Sequence, residues 1–186
     1  MNVLHRRLAY MMTPQLEIYK NLAFLLEDKN VLEVGFLTGF GVLQYATQAK
    51  KVLAIEIEQE HVDFANWVLP LKNVTWEVGD ICKGTLGMFD AVVMIEVIEH
   101  IPRWQSALKQ CKDKLLPGGV LIVSTPNANG TFLKNELHGD EWTAQEFKDR
   151  LEKYFSDVRM YDFSMTKELD TNTRITPLVA VCRNEG

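Results

Sequence analysis

Val31-Leu32-Glu33-Val34-Gly35-Phe36-Leu37-Thr38-Gly39-Phe40-Gly41 is the stretch on which the fold of this chain turns. A short apolar run, Val31 to Val34, leads into a turn flanked by Gly35 and Gly39, and a helical pattern follows from Gly41 to Ala49. A strand that feeds a helix through such a turn exposes backbone N–H groups, and the missing side chains let a ligand approach the backbone closely.

The same alternation continues outward. Val52 to Ile57 is a second apolar run and Glu58 to Leu69 a second helix, which predicts parallel strands joined by crossover helices. Val74 to Val78 and Ala91 to Ile95 supply a third and a fourth strand. Trp104, Leu108, Cys111 and Leu115 share one face of a helix that Pro117-Gly118-Gly119 ends before a Val120 to Val123 strand. Thr143 and Glu146 form a capping box ahead of Phe147, Leu151 and Phe155. Strands near Val158 to Phe163 and Leu178 to Cys182 close the chain as an antiparallel hairpin at the sheet edge. Upstream, Thr13-Pro14 reads as an N-cap with proline at the first helical position. Leu16, Tyr19, Leu22, Ala23 and Leu26 then recur at helical spacing, so residues 1–29 form a leading helical segment.

The predicted architecture is therefore α/β, a Rossmann-like three-layer sandwich. Its sheet has seven strands, mostly parallel, with an antiparallel last strand. A chain of 186 residues with 47% apolar content suits one core, and residues 1–186 read as a single domain. The irregular stretch 125–141 follows the fifth strand, at the edge where open α/β sheets place ligands, and reads as a substrate loop.

Twenty basic against twenty-five acidic residues leave a net charge of −5, which disfavours nucleic acid as a partner. The three cysteines, Cys82, Cys111 and Cys182, are few and widely spaced, and read as reduced thiols of a cytoplasmic protein. No apolar segment approaches the roughly 20 residues that span a bilayer. Neither export nor membrane insertion is expected, and the sequence leaves the oligomeric state open.

Glu56 ends the second strand about twenty residues after Gly35, a placement suited to accepting hydrogen bonds from both ribose hydroxyls. The ligand is therefore expected to be a nucleoside. A dinucleotide fingerprint would need glycines at 35, 37 and 40, but Leu37 and Phe40 break it. The Glu33-Val34-Gly35-Phe36-Leu37-Thr38-Gly39 segment instead resembles the first motif of class I S-adenosylmethionine (AdoMet) methyltransferases, with two of its three glycines. Gly79-Asp80-Ile81 is similar to the family's adenine-binding turn, Phe89-Asp90-Ala91-Val92-Val93 to its fourth strand, and Leu115-Leu116-Pro117-Gly118-Gly119 to the segment before its fifth.

The resemblance implies AdoMet as cofactor, bound by Glu33, Gly35, Phe36, Leu37, Gly39, Glu56, Ile57, Asp80, Ile81, Ile95 and Glu96. It assigns Glu33 to the methionine end, Glu56 to the ribose and Asp80 to the adenine amino group. Leu37 departs from the usual glycine.

Glu96-Val97-Ile98-Glu99-His100 follows the fourth strand, and a helical turn there would place Glu96, Glu99 and His100 on one face. Glu99 and His100 are the catalytic candidates, since histidine titrates near neutrality and a carboxylate can orient it. Bracing the loop under the cofactor fits the pair equally well. The segment resembles ubiquinone-biosynthesis O-methyltransferases and also small-RNA 2'-O-methyltransferases. The latter resemblance implies a divalent metal, Mg or Mn, on Glu96, Glu99, His100 and His138.

Trp142 and Phe132 could stack on a planar acceptor, and Asn127, Asn129 and Asn135 could bind hydroxyls, although such residues also serve as loop anchors. Trp67 and Trp104 read as core, and Lys109, Lys112 and Lys114 as a solvated helix face. The function expected is methyl transfer to an oxygen of a small hydroxylated molecule or sugar. The alternatives are metal-assisted 2'-O-methylation of an RNA end and a catalytically silent AdoMet-binding or partner-binding domain.

Overall fold

A computed structural model describes residues 14–84, 87–130 and 141–186. Helix α1 (Pro14–Leu22) runs into a 3₁₀ turn at Ala23–Leu26, and strand β1 (Asn30–Val34) follows. Then come α2 (Phe40–Leu43), β2 (Lys51–Glu56), α3 (Gln59–Val68), β3 (Val74–Val78) and β4 (Phe89–Met94). The chain ends with α4 (Trp104–Lys114), β5 (Leu115–Thr125), α5 (Ala144–Leu151), β6 (Asp157–Tyr161) and β7 (Leu178–Arg183).

The strands form one seven-stranded sheet in the order β3-β2-β1-β4-β5-β7-β6. All neighbours from β3 through to β5 pair in parallel, while β7 is antiparallel to both β5 and β6. The last strand thus lies inside the sheet and β6 forms the edge. The antiparallel hairpin at the sheet edge is thus as expected, with its second strand paired to β5.

Side chains alternate across the pleat with period two. Leu32 and Val34 of β1 enter the core under α4 and α5, and Val31 enters the core under α1, α2 and α3. Glu33 shares the second face, which is why a carboxyl group comes to lie beneath α1.

Three local expectations are corrected. The helix expected from Gly41 to Ala49 is one α-turn, after which Tyr45, Ala46 and Ala49 continue as successive turns with mixed i−3 and i−4 bonds. Gly41 lowers helix propensity at its start. Pro117-Gly118-Gly119 does not precede β5 but interrupts its pairing: the register with β4 shifts between Phe89 and Ala91, and Gly118 takes φ +78°. Leu115 accordingly belongs to β5 rather than to the helix. Trp67, expected in the core, is 82% exposed. The buried face of α3 is carried by Val62 and Ala65, and a residue two positions beyond Ala65 points the other way.

Trp104 does pack against the core. Lys109 pairs with Asp113 on the solvent side of α4. Among the described residues no helix is long and apolar enough to cross a membrane.

Candidate functional site

Four parallel strands end side by side, and the residues just past their ends surround a cavity of about 320 Å³. Gly35 to Thr38 follow β1, Ile57 follows β2, Gly79 to Ile81 follow β3, and Ile95 to Val97 follow β4. This is the carboxyl edge of the sheet, where open α/β folds hold ligands. The volume suits a small molecule of nucleoside size.

The first turn combines three residues in or near the left-handed region: Gly35 at φ +73°, Leu37 at +49° and Gly39 at +78°. At Gly35 the need is also steric, since a Cβ there would press into the Val97 side chain. Leu37 has no such licence and carries backbone strain at the position where the resemblance expects glycine. Its N–H donates to Glu56 Oε2 at 3.0 Å, and the Ile57 N–H donates to Glu56 Oε1 at 2.8 Å. Glu56, 8% exposed, is thereby aimed along the cavity wall by two backbone donors. Each carboxylate oxygen retains further acceptor capacity.

Asp80 caps the 3₁₀ turn Ile81–Lys83 by accepting from the Cys82 N–H at 2.9 Å. It lines the cavity together with buried Ile81 and with Phe36, whose ring meets Trp76 edge-on.

Glu33 and Gly39 lie behind the wall rather than on it. A Cβ at Gly39 would crowd Trp76 and Leu69, so this glycine serves the packing of the turn. Glu33 is fully buried and accepts from Tyr19 Oη at 2.5 Å and from Tyr45 Oη at 2.9 Å. Burial pushes its carboxyl up to about 8, against the two hydroxyl bonds, which act in the opposite direction. Of its two hydroxyl partners, Tyr19 does line the cavity.

At the far end, Glu96 has φ +55°, a strained conformation held by β5. Ser124 Oγ accepts from the Glu96 N–H at 2.9 Å and donates to Glu96 Oε1 at 2.8 Å. Glu96 and His100 line the cavity, whereas Glu99, 2% exposed, sits behind them. Burial raises both carboxyls, and the Glu96 charge raises Glu99 further. Glu99 Oε1 lies 4.0 Å from His100 Nε2, beyond hydrogen-bond range. The segment is a 3₁₀ turn, Ile98–His100, entered from the left-handed Glu96, so the three residues do not share one exposed face.

Among the described residues, no group of three or more His, Cys, Asp or Glu side chains could hold a metal ion. His138, the fourth ligand implied by the resemblance, lies outside the described residues, as do Phe132 and Asn135. The described members of the expected set, Glu96, Glu99 and His100, do not by themselves form a metal site. Glu141 is described and adds to the charge that raises Glu99.

Trp142 is 3% exposed, stacked on Phe147 and covered by the Arg150 guanidinium, so it packs in the core and offers no platform for an acceptor. Asn127 is buried and donates to the carbonyls of Thr173 and Ile175, tying the start of the 125–141 stretch to the β6–β7 connection. Both are anchors. Sequence reading placed Tyr19 on a core stripe and passed over Tyr45 and Ser124. Two phenols on apolar faces flanking an acid inside β1 were the available signal.

The family described as "Methyltransferase domain" matches residues 5–161. A Mycolicibacterium smegmatis protein named "Probable S-adenosylmethionine-dependent methyltransferase" is 31% identical over 145 residues, covering 73% of this chain and 54% of that protein. The ubiquinone biosynthesis O-methyltransferase of Chromobacterium violaceum is 29% identical over 119 residues, covering 61% and 51%. The chain spans about half the length of these curated relatives. The solved methyltransferase domain of bacterial CtHen1-C superposes with a TM-score of 0.72 at 21% identity, covering 94% of this chain and 100% of that one. At that identity the likeness concerns the fold. Fold, site geometry and a match across most of its length together establish that this chain belongs to the methyltransferase domain family.

Proposed function

We propose that the chain binds AdoMet in the cavity and transfers its methyl group to an oxygen of a small hydroxylated molecule or sugar. One observation carries this reading: a single cavity runs from Glu56 and Asp80, past the Gly35 turn, to Glu96 and His100. Glu56 and Asp80 offer acceptors for a ribose and an adenine amino group, and Phe36, Leu37, Ile57 and Ile81 supply apolar walls. The relative named as an S-adenosylmethionine-dependent enzyme supports the cofactor, and the one named as an O-methyltransferase supports oxygen as the acceptor atom.

When bound, AdoMet supplies a methyl group on a sulfonium, already activated for in-line displacement. The protein then contributes alignment, exclusion of water and a proton acceptor. His100, on the cavity wall, would take the proton that the acceptor hydroxyl loses on methylation. Glu96 is locked by Ser124 and fixes the floor at that end. Glu99 lies buried behind the turn. The unpaired thiols Cys82, Cys111 and Cys182 support a cytoplasmic setting.

Calorimetry with AdoMet tests the first half of the reading. A screen of hydroxylated small molecules for release of S-adenosylhomocysteine tests the second. Binding without turnover on any acceptor class would favour a catalytically silent domain, and absence of binding would reject the cavity's assignment.

A further inference from the structure

Helix α1 forms part of the cavity wall through Gln15, Leu16 and Tyr19, although it precedes the sheet and belongs to none of the strand-end turns. Of these three residues, Tyr19 reaches deepest. Its ring passes over Gly41, where any Cβ would collide with it, and its hydroxyl ends 2.5 Å from Glu33 Oε1. Tyr45 Oη holds the other oxygen of the same carboxyl at 2.9 Å, and the two phenol rings lie nearly parallel with an interplanar angle of 14°. Glu33 is fully buried, so the two hydroxyls take the place of the water it lost.

We propose that Tyr19 is a latch: fastened to Glu33, it holds the start of α1 closed against the cofactor cavity and so sets how tightly the cofactor is retained. This rests on the reading of the cavity as the AdoMet site and adds a positioning residue to it. Ile18 and Leu22 anchor α1 in the core whether or not the latch is made, so loosening Tyr19 frees the wall without detaching the helix. Gly41 is part of the device, because its bare backbone is the slot through which the ring passes. The bond also explains why an acid is tolerated inside β1, since removing either hydroxyl leaves a buried oxygen short of a donor.

The test compares Tyr19→Phe, Gly41→Ala and Tyr45→Phe in the full chain by AdoMet calorimetry and by amide hydrogen exchange over residues 15–22. Tyr19→Phe keeps the ring and loses only the hydroxyl. It should raise the AdoMet Kd about three- to tenfold, the range of one net hydrogen bond. Gly41→Ala, which displaces the ring and with it the hydroxyl while keeping the tyrosine, should act in the same direction. Tyr45→Phe removes a similar bond from the same carboxyl but keeps the ring stacked on Tyr19 and takes no hydrogen bond from α1, so it should lower the melting temperature while moving Kd less than Tyr19→Phe does. Exchange over residues 15–22 should rise severalfold in Tyr19→Phe, and less in Tyr45→Phe, with no ligand present. Equal exchange in the two Phe variants would overturn the latch whether or not AdoMet binds. So would an unchanged Kd in Tyr19→Phe. If the wild-type chain does not bind AdoMet, the exchange comparison still decides the latch, and what fails is the assignment of the cavity.

Discussion

The backbone N–H of Leu37 donates to the Glu56 carboxylate at 3.0 Å, which joins the turn after β1 to the end of β2 across the floor of the cavity. One residue is strained and the other is almost buried, so each limits the freedom of its partner. Glu56→Ala removes the acceptor for Leu37 and Ile57 as well as the proposed ribose contact. AdoMet affinity should fall by about 1.5 to 3 kcal/mol, as for a hydrogen bond to a charged group. Calorimetry reads this directly, and an unaltered affinity would place the nucleoside elsewhere.

Leu37→Gly probes the other partner. Relief of the left-handed backbone is worth about 1 kcal/mol and the greater freedom of unfolded glycine costs a similar amount, so thermal stability should change little. AdoMet should bind more tightly, because the half-buried side chain on the cavity wall is gone. Equal or weaker binding would mean that the groove is built around the leucine.

Stability should depend on pH through buried carboxyls. Glu33 is pushed up to about 8 from an ordinary value of 4.5, so between those values the folded chain keeps a proton that the unfolded chain has lost. Stability therefore falls as pH rises through that window and levels off above it, by up to about 1.4 kcal/mol per pH unit for one such group. Glu96 and Glu99 are raised as well and add to the same trend. Melting curves of Glu33→Gln should show a shallower decline between pH 5 and pH 8 than wild type, with the remainder coming from the other two. Parallel curves for the two proteins would mean that Glu33 does not titrate in this window.

His100→Ala separates proton transfer from bracing. As the base, His100 should contribute about a hundredfold or more to turnover while AdoMet affinity stays nearly constant. A variant that loses affinity and melting temperature but keeps its turnover would make the residue a brace.

Chelation separates acceptor classes. Methyl transfer to a small hydroxylated acceptor through His100 should survive a chelator such as EDTA. Loss of turnover in chelator, restored by Mg or Mn, would instead favour metal-assisted methylation of an RNA end.

Much of the fold was legible because it is written in local periodicity. The runs Val31 to Val34 and Val52 to Ile57, each followed by a turn and a helical pattern, specify parallel strands whose carboxyl ends must lie together. Glu56 was identifiable for the same reason, as a polar residue just where a strand stops, whereas Asp80 was singled out by the family resemblance of Gly79-Asp80-Ile81. What local pattern could not show is which side chains meet across the layers. Trp67 sits outside a helix whose buried stripe is two small residues, and Trp142 was read as a loop aromatic yet fills the core.

By itself, then, the sequence determined the α/β architecture and the carboxyl edge of the sheet with many of the residues that line its cavity, because strand and helix periods are properties of neighbouring residues. Only the tertiary structure decided that β7 inserts between β5 and β6, that Ser124 holds Glu96, and that Glu33 faces two phenols. Those pairings join residues remote in the chain, and they follow from packing that depends on the whole core at once.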